Sequence, residues 1–405
     1  MKFIIKNSRL IIFLGLLIFS VISSVLIMSV ANRHVYDYHL SLLAYQFSRL
    51  HLAIPPLDVP YGDVVNFHST FYLYFGPLAS IILAPFTVIF GKYFPQVLLG
   101  IGSMIASFFI VYSISKAYKF KKEDSLLLGL FFVFSTVLFG VGIINISAYQ
   151  VQALGVPFVL LAIREYLLKK RPLLIGIFIA LAILTRVTLL LSVVFFFIEF
   201  LYKRISLKNF VLIMIPIVIS GMILAGYNYR RFHSFTETGY AYNQTLNTFP
   251  MSSNLKAGFF SVAHVPANLY SFLIMPPDPV VRGGGGFVLD FPYLKANPWG
   301  MAIWFTSPLF LLLLFKFKKD KFSVSAALAA FALAIPSFIY FGVGFSQYGY
   351  RYALDFLPFL FMLLLSSLSP KLSKTAVTLI AIGVIFNCLY MASLWNSYPI
   401  FGIFR

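Results

Sequence analysis

The stretch Leu173-Leu-Ile-Gly-Ile-Phe-Ile-Ala-Leu-Ala-Ile-Leu-Thr-Arg186-Val-Thr-Leu-Leu-Leu-Ser-Val-Val-Phe-Phe-Phe-Ile-Glu-Phe-Leu201 decides how this chain is threaded. Basic clusters flank it, Lys169–Arg171 before and Lys203–Lys208 after. As one long crossing it would put those clusters on opposite sides of a membrane. As a tight hairpin turning at Thr185–Arg186 it keeps both on one side, and short loops rich in Lys and Arg belong on the cytoplasmic side. The hairpin arms are short: Leu173–Thr185 makes about 20 Å of helix against a hydrocarbon core of about 30 Å. Arg186 is then held at depth, where it either takes an anionic partner such as a lipid phosphate or snorkels to the outer interface.

The rest of the chain fits a membrane reading. Its 405 residues have a mean hydropathy of +0.91, with 60% hydrophobic and 11% charged side chains. Such composition belongs to membrane proteins. The expectation is an all-α polytopic protein, residues 1–405 forming one membrane domain with about 11 transmembrane helices. They are placed near 10–31, 95–115, 125–144, 150–168, 172–185, 187–202, 209–227, 298–315, 323–343, 353–369 and 374–394. The run Phe71–Phe90 carries Gly76, Pro77 and Pro85, and counting it as a span would put the Lys116–Lys122 cluster outside. It reads as an interfacial or re-entrant helix in the first exterior loop. No internal repeat is visible, which counts against the repeat-built transporter folds.

The net charge of +19 would suggest nucleic acid in a soluble protein. Here the threading accounts for it. Six short segments, at Lys2–Arg9, Lys116–Lys122, Arg164–Arg171, Lys203–Lys208, Lys316–Lys321 and Lys371–Lys374, hold 20 of the 31 basic residues on the cytoplasmic side. Seven of the twelve acids fall opposite: Asp37, Asp58, Asp63, Glu237, Asp278, Asp290 and Asp355. Any chemistry therefore faces the exterior, and no nucleic acid partner is expected. The apolar run from Leu10 is long enough to span and no small-residue cleavage site follows, so Met1–Val30 reads as a retained first helix with a cytoplasmic N-terminus. The single cysteine, Cys388, excludes an internal disulfide and a cysteine metal cage.

Two exterior segments, 32–94 and 228–297, concentrate the polar residues. The first holds His34, His39, His51 and His68 with Asp37, Asp58 and Asp63. Carboxylates beside a bilayer are costly and usually serve a site. Asp37, in Arg33-His-Val-Tyr-Asp-Tyr-His-Leu, could act as a general base oriented by His34 and Tyr38, or as a surface carboxylate paired with Arg33. Asp58 and Asp63, in Pro55-Pro-Leu-Asp-Val-Pro-Tyr-Gly-Asp, could bind sugar hydroxyls or a cation, or simply shape turns. Arg351 and Asp355 are spaced as an i,i+4 ion pair, though an arginine among Tyr348, Tyr350 and Tyr352 could also hold a phosphate. Arg230, Arg231, His233 and Glu237 follow helix 7 as interfacial anchors, with one or two available to a site. Arg282-Gly-Gly-Gly-Gly lacks a following Lys-Ser/Thr and reads as a loop. There is no HExxH, GxSxG or dinucleotide fingerprint.

The order of several motifs resembles the GT-C membrane glycosyltransferases, especially bacterial relatives of the protein O-mannosyltransferases and the lipid A aminoarabinose transferase. The motifs are the acid after helix 1, Phe71-Tyr-Leu-Tyr-Phe-Gly-Pro, Leu181-Ala-Ile-Leu-Thr-Arg186, Tyr227-Asn-Tyr-Arg-Arg-Phe, Asn297-Pro-Trp-Gly and Tyr350-Arg-Tyr…Asp355. The resemblance implies a polyprenyl-phosphate sugar donor, a glycan, lipid or protein acceptor, and inverting transfer on the exterior face of a bacterial cytoplasmic membrane. It assigns the base to Asp37 and the departing phosphate to Arg186 and Arg351, with no metal required and a divalent cation compatible but not indicated. Asp58, Asp63, His34, Tyr38, Arg230, Arg231 and Glu237 are the candidates for sugar or acceptor contacts. The chain departs from the family pattern in two places. Tyr38 stands where many relatives have a second acid, and Asn145–Gln152 contains none. The competing class is a transporter or lipid flippase, which would place ionisable residues mid-helix, where few are seen beyond Glu199 and Arg186.

Overall fold

The computed structural model describes residues 8–31, 37–56, 63–243, 251–282, 288–342 and 347–397. Backbone polar groups in lipid have no water to bond, so the apolar runs fold as helices. The order is α1 (Ser8–Ala31), α2 (His39–Phe47), β1 (Val64–Phe67), β2 (Thr70–Leu73), α3 (Leu78–Phe90), α4 (Val97–Ala117), α5 (Lys122–Phe134), α6 (Leu138–Ile143) and α7 (Ser147–Leu168). Next come α8 (Pro172–Thr185), a 3-10 turn (Val187–Ser192), α9 (Val193–Leu201), α10 (Leu207–Phe232), α11 (Met251–Leu255), α12 (Val265–Leu273), β3 (Asp278–Val281) and β4 (Leu289–Lys295). The chain closes with α13 (Ile303–Thr306), a 3-10 turn (Pro308–Leu311), α14 (Leu312–Phe315), α15 (Lys321–Ile339), a 3-10 turn (Arg351–Asp355), α16 (Leu357–Ser367) and α17 (Lys374–Ser397). Two antiparallel hairpins, β1–β2 and β3–β4, are the sheet structure among the described residues.

Six helices, α1, α4, α7, α10, α15 and α17, are long and apolar enough to cross a membrane. The other expected spans are shorter or broken. The run expected at 125–144 stops at Ser135 and resumes as α6, and that at 298–315 divides at Ser307-Pro308 into short turns. One buried residue serves both breaks: Asn387 Nδ2 donates to Phe134 O at 3.0 Å and to Thr306 O at 2.8 Å. A side chain on α17 thus supplies the donors that the interrupted helices lack, as buried carbonyls require. Tyr348 in turn donates to Asn387 Oδ1.

The Thr185–Arg186 turn is a hairpin, as the charge pattern requires. At its far end, Ser325 donates to buried Glu199 at 2.6 Å, Arg204 lies 3.3 Å from the same carboxylate, and Tyr166 donates to it as well. Lys321 sits over the Tyr202 ring at 5.3 Å, Tyr118 packs on Phe322, and Lys318 N donates to Ser367. Arg9 pairs with Asp124, whose other oxygen receives Leu372 N. These contacts draw the described parts of all six basic segments to one end of the helix bundle.

At the other end the first loop is built in. Residues 39–44 of α2 are buried, and Leu40, Leu43, Ile54, Leu73, Leu83, Leu99 and Val151 form a small second core beneath it. The loop is pressed onto the hairpin tip: a Cβ at Gly76 would lie 2.1 Å from Leu184 O, so only glycine permits this approach. The run Phe71–Phe90, expected as an interfacial or re-entrant helix, folds as β2 and the thirteen-residue helix α3, shorter than the six long apolar helices.

Candidate active site

Asp37 leads into α2, and α7 begins opposite it. The first amide of α7, Ser147 N, donates to Asp37 Oδ2 at 2.7 Å, and Ser147 Oγ donates to Oδ1 at 2.5 Å. Oδ1 also receives His39 N and Gln96 Nε2, both at 3.2 Å, and His39 Nδ1 lies 2.8 Å away. Asn145 Nδ2 reaches the Asp37 carbonyl at 3.0 Å. The start of a 22-residue helix presents unpaired N–H groups and positive potential. Asp37 therefore caps α7 across the fold. Burial by itself would raise its pKa, but the His39 charge and the bonds from His39 and Ser147 outweigh burial and hold it at about 2.

Asp63 lies beside this cluster in a different electrostatic setting. Tyr74 OH donates to its Oδ1 at 2.6 Å. Burial and the neighbouring Asp37 charge raise its pKa above the usual carboxylate value, against the lowering pull of His39, Tyr74 and Arg351. Ligand atoms of Asp37, His39 and Asp63 lie within 4.8 Å of one another, close enough to hold a cation by distance. The fit is incomplete, because the lone pairs of Asp37 already receive Ser147, His39 and Gln96.

Arg351 lies within electrostatic reach of Asp63. Its Nη1 donates to Gln152 Oε1 at 2.9 Å and its Nη2 to Tyr352 OH at 3.1 Å, while the guanidinium lies over the Tyr149 and Tyr352 rings at 5.1 and 4.6 Å. Its Nε is buried without a hydrogen-bond partner. The i,i+4 pair with Asp355 does not form. Residues 351–355 wind as a 3-10 turn, in which positions three apart eclipse and positions four apart diverge. Asp355 instead receives Arg186 Nη2 at 3.1 Å and Thr188 Oγ1 at 2.7 Å. So Arg186 finds its anion within the protein, and Arg351 has no carboxylate partner among the described residues.

Tyrosines close the space between these groups. Tyr240 packs edge-on to Tyr74 at 4.7 Å and shares a hydrogen bond with Tyr340, and Tyr340 packs against Tyr352 at 5.4 Å. Burial raises the Tyr74 and Tyr240 hydroxyls above the ordinary phenol value, so both remain donors at neutral pH.

The remaining candidates scatter. Arg231 is a buried strut: it donates to Leu73 O at 2.5 Å and Asn228 Oδ1 at 2.8 Å and stacks over Tyr227 at 3.7 Å, tying α10 to β2. Arg230 is exposed. Glu237 accepts from Gly239 N at 2.7 Å and closes its own turn. Tyr38 packs on Tyr93 at 5.6 Å. His34 and Asp58 lie outside the described residues. Ser147, Gln96, Gln152 and Tyr74 escaped the sequence reading. Nothing in the sequence pairs Ser147 with Asp37, 110 residues away.

No protein-family model and no curated protein matches the sequence. Solved structures do. The crystal structure of ArnT from Cupriavidus metallidurans bound to undecaprenyl phosphate superposes with a TM-score of 0.54 at 12% identity, covering 98% of this chain and 78% of that one. The archaeal oligosaccharyltransferase AglB from Archaeoglobus fulgidus, in complex with an inhibitory peptide and a dolichol-phosphate, gives 0.42 at 15% identity over 98% and 56% of the two chains. The ArnT match, at 12% identity, is one of fold alone.

Proposed function

We propose that this chain is an inverting glycosyltransferase that moves a sugar from a polyprenyl-phosphate donor to an acceptor hydroxyl on the exterior face of a bacterial cytoplasmic membrane. The observation that carries the proposal is the meeting of two first-loop carboxylates, Asp37 and Asp63, with Arg351, a guanidinium lacking a carboxylate partner among the described residues. The ArnT structure, which shares the fold, was solved with undecaprenyl phosphate bound, and this supports the donor class.

In one displacement the acceptor oxygen bonds to the anomeric carbon, its proton passes to a carboxylate, and the carbon–oxygen bond to the phosphate breaks. The polyprenyl phosphate leaves with the electron pair. Arg351 stabilises the growing phosphate charge, through Nε and by exchanging Gln152 for phosphate oxygens. Arg186, already opposite Asp355, adds positive potential at the hairpin tip.

Asp37 is the acid the sequence nominates as base, but Asp63 is the better acceptor of the proton. Asp37 would have to surrender bonds from Ser147, His39 and Gln96, whereas among the described residues Asp63 gives up Tyr74 alone. Asp37 then fixes the loop and the start of α7.

The test is native mass spectrometry of the purified protein with added undecaprenyl phosphate, in wild type and Arg351→Ala. Wild type should retain the lipid and the variant should lose it. Equal retention by both would remove Arg351 from the phosphate site, and no retention by either would turn attention to transport.

A further inference from the structure

At the end of the bundle opposite the carboxylates, a cavity of about 420 Å³ opens between the last turn of α7, the segment after α9 and the start of α15. It is lined by Tyr166, Leu167, Lys170, Arg204 and Phe322. Its volume falls within the roughly 300–1,000 Å³ of small-molecule sites. The lining has two parts, an apolar wall from Leu167 and Phe322 and two cations from Lys170 and Arg204.

We infer that this cavity binds the phosphate of an anionic phospholipid headgroup. Threading alone requires only that basic residues sit somewhere in these segments; it requires neither a cavity nor a fixed guanidinium. Arg204 is fixed. Its Nη1 lies 3.3 Å from Glu199, which is fully buried and further held by Tyr166 and by Ser325 at 2.6 Å. The Arg204 side chain is 39% exposed toward the opening, so the guanidinium is oriented before a ligand arrives.

Lys170 carries the second argument. It closes α7 with φ +53°, a left-handed position where glycine is the unstrained choice. Lys119 and Lys203 take the same conformation, at +64° and +57°, so what marks Lys170 is its place on the cavity wall with no ion-pair partner among the described residues. Arg171 pairs with Glu165 at 2.7 Å and does not line the cavity; Lys170 and Arg204 do, Arg204 with Nη1 turned to Glu199. Basic pockets between membrane helices at headgroup depth suit such lipids. The apolar wall suits the acyl-chain side of a lipid better than a free ion. This site stands independently of the glycosyltransferase proposal.

The test uses full-length protein in detergent, titrated with phosphatidylglycerol or phosphatidylcholine and read by native mass spectrometry. Wild type should bind phosphatidylglycerol in preference to phosphatidylcholine. Lys170→Gly should weaken phosphatidylglycerol binding roughly five-fold, the effect of one basic residue at a membrane surface. Because glycine relieves the left-handed strain, thermal stability should hold or rise, which separates lost binding from lost folding. Arg204→Lys should weaken binding while preserving the contact with Glu199. Unchanged binding in Lys170→Gly, or equal uptake of the two lipids, would overturn the proposal. So would displacement of bound phosphatidylglycerol by millimolar inorganic phosphate, which would make the free ion the ligand.

Discussion

Replacing each of the two clustered carboxylates by its amide should separate a residue that holds the site from one that acts in it. In Asp37→Asn the side chain keeps one acceptor oxygen, and its new NH2 group confronts donors from Ser147 and His39. The size of the loss follows from proton affinity. A carboxyl lowered from 3.8 to about 2 favours the folded state by about 2 kcal/mol at neutral pH, at about 1.4 kcal/mol per tenfold change. Asp37 is 14% exposed, so solvent screening takes little from that figure. The stabilisation is present above 3.8 and is lost as pH falls toward 2. Asp63 has the opposite sign: its folded pKa is raised, so its contribution is complete below 3.8 and disappears as pH rises through the folded value. Asp63→Asn should therefore leave neutral-pH stability unchanged or slightly higher, while transfer from an undecaprenyl-phosphate sugar falls about 10²–10⁴-fold, the usual worth of a general base. Thermal unfolding in detergent from pH 3 to 8, alongside a transfer assay, would measure both. An Asp37→Asn protein as stable as wild type would refute the capping argument, and an Asp63→Asn protein with full transfer would refute the choice of base.

Other outcomes follow from the arginine geometry. Gln152→Glu places a carboxylate 2.9 Å from Arg351, so it should compete with the donor phosphate and weaken undecaprenyl-phosphate binding without unfolding the protein; lipid titration checks this. Asp355→Asn leaves Arg186 without its anion at a largely buried position and should cost about 3–5 kcal/mol, whereas replacing both residues by apolar ones should cost less; thermal unfolding of the single and double variants decides.

Part of this protein is legible in its sequence. Apolar length and the position of basic residues determine that the chain belongs in a membrane and that Leu173–Leu201 doubles back, because burying charge in lipid costs more than any local preference can recover. They also nominate the first loop as the candidate site, since Asp37 and Asp63 stand out against so oily a background. Individual partners were not legible. Asp355 pairs with Arg186, 169 residues away, because the local backbone winds as a 3-10 turn and carries it out of reach of Arg351. Asp37 is claimed by Ser147, 110 residues on, because the fold sets the first turn of α7 against the start of α2. The helix count also turned on tertiary structure: Asn387 satisfies carbonyls at two breaks, so the runs that end there need not continue as helices. Which apolar segments enter the membrane is a property of each segment, but which charges meet depends on how the helices cross.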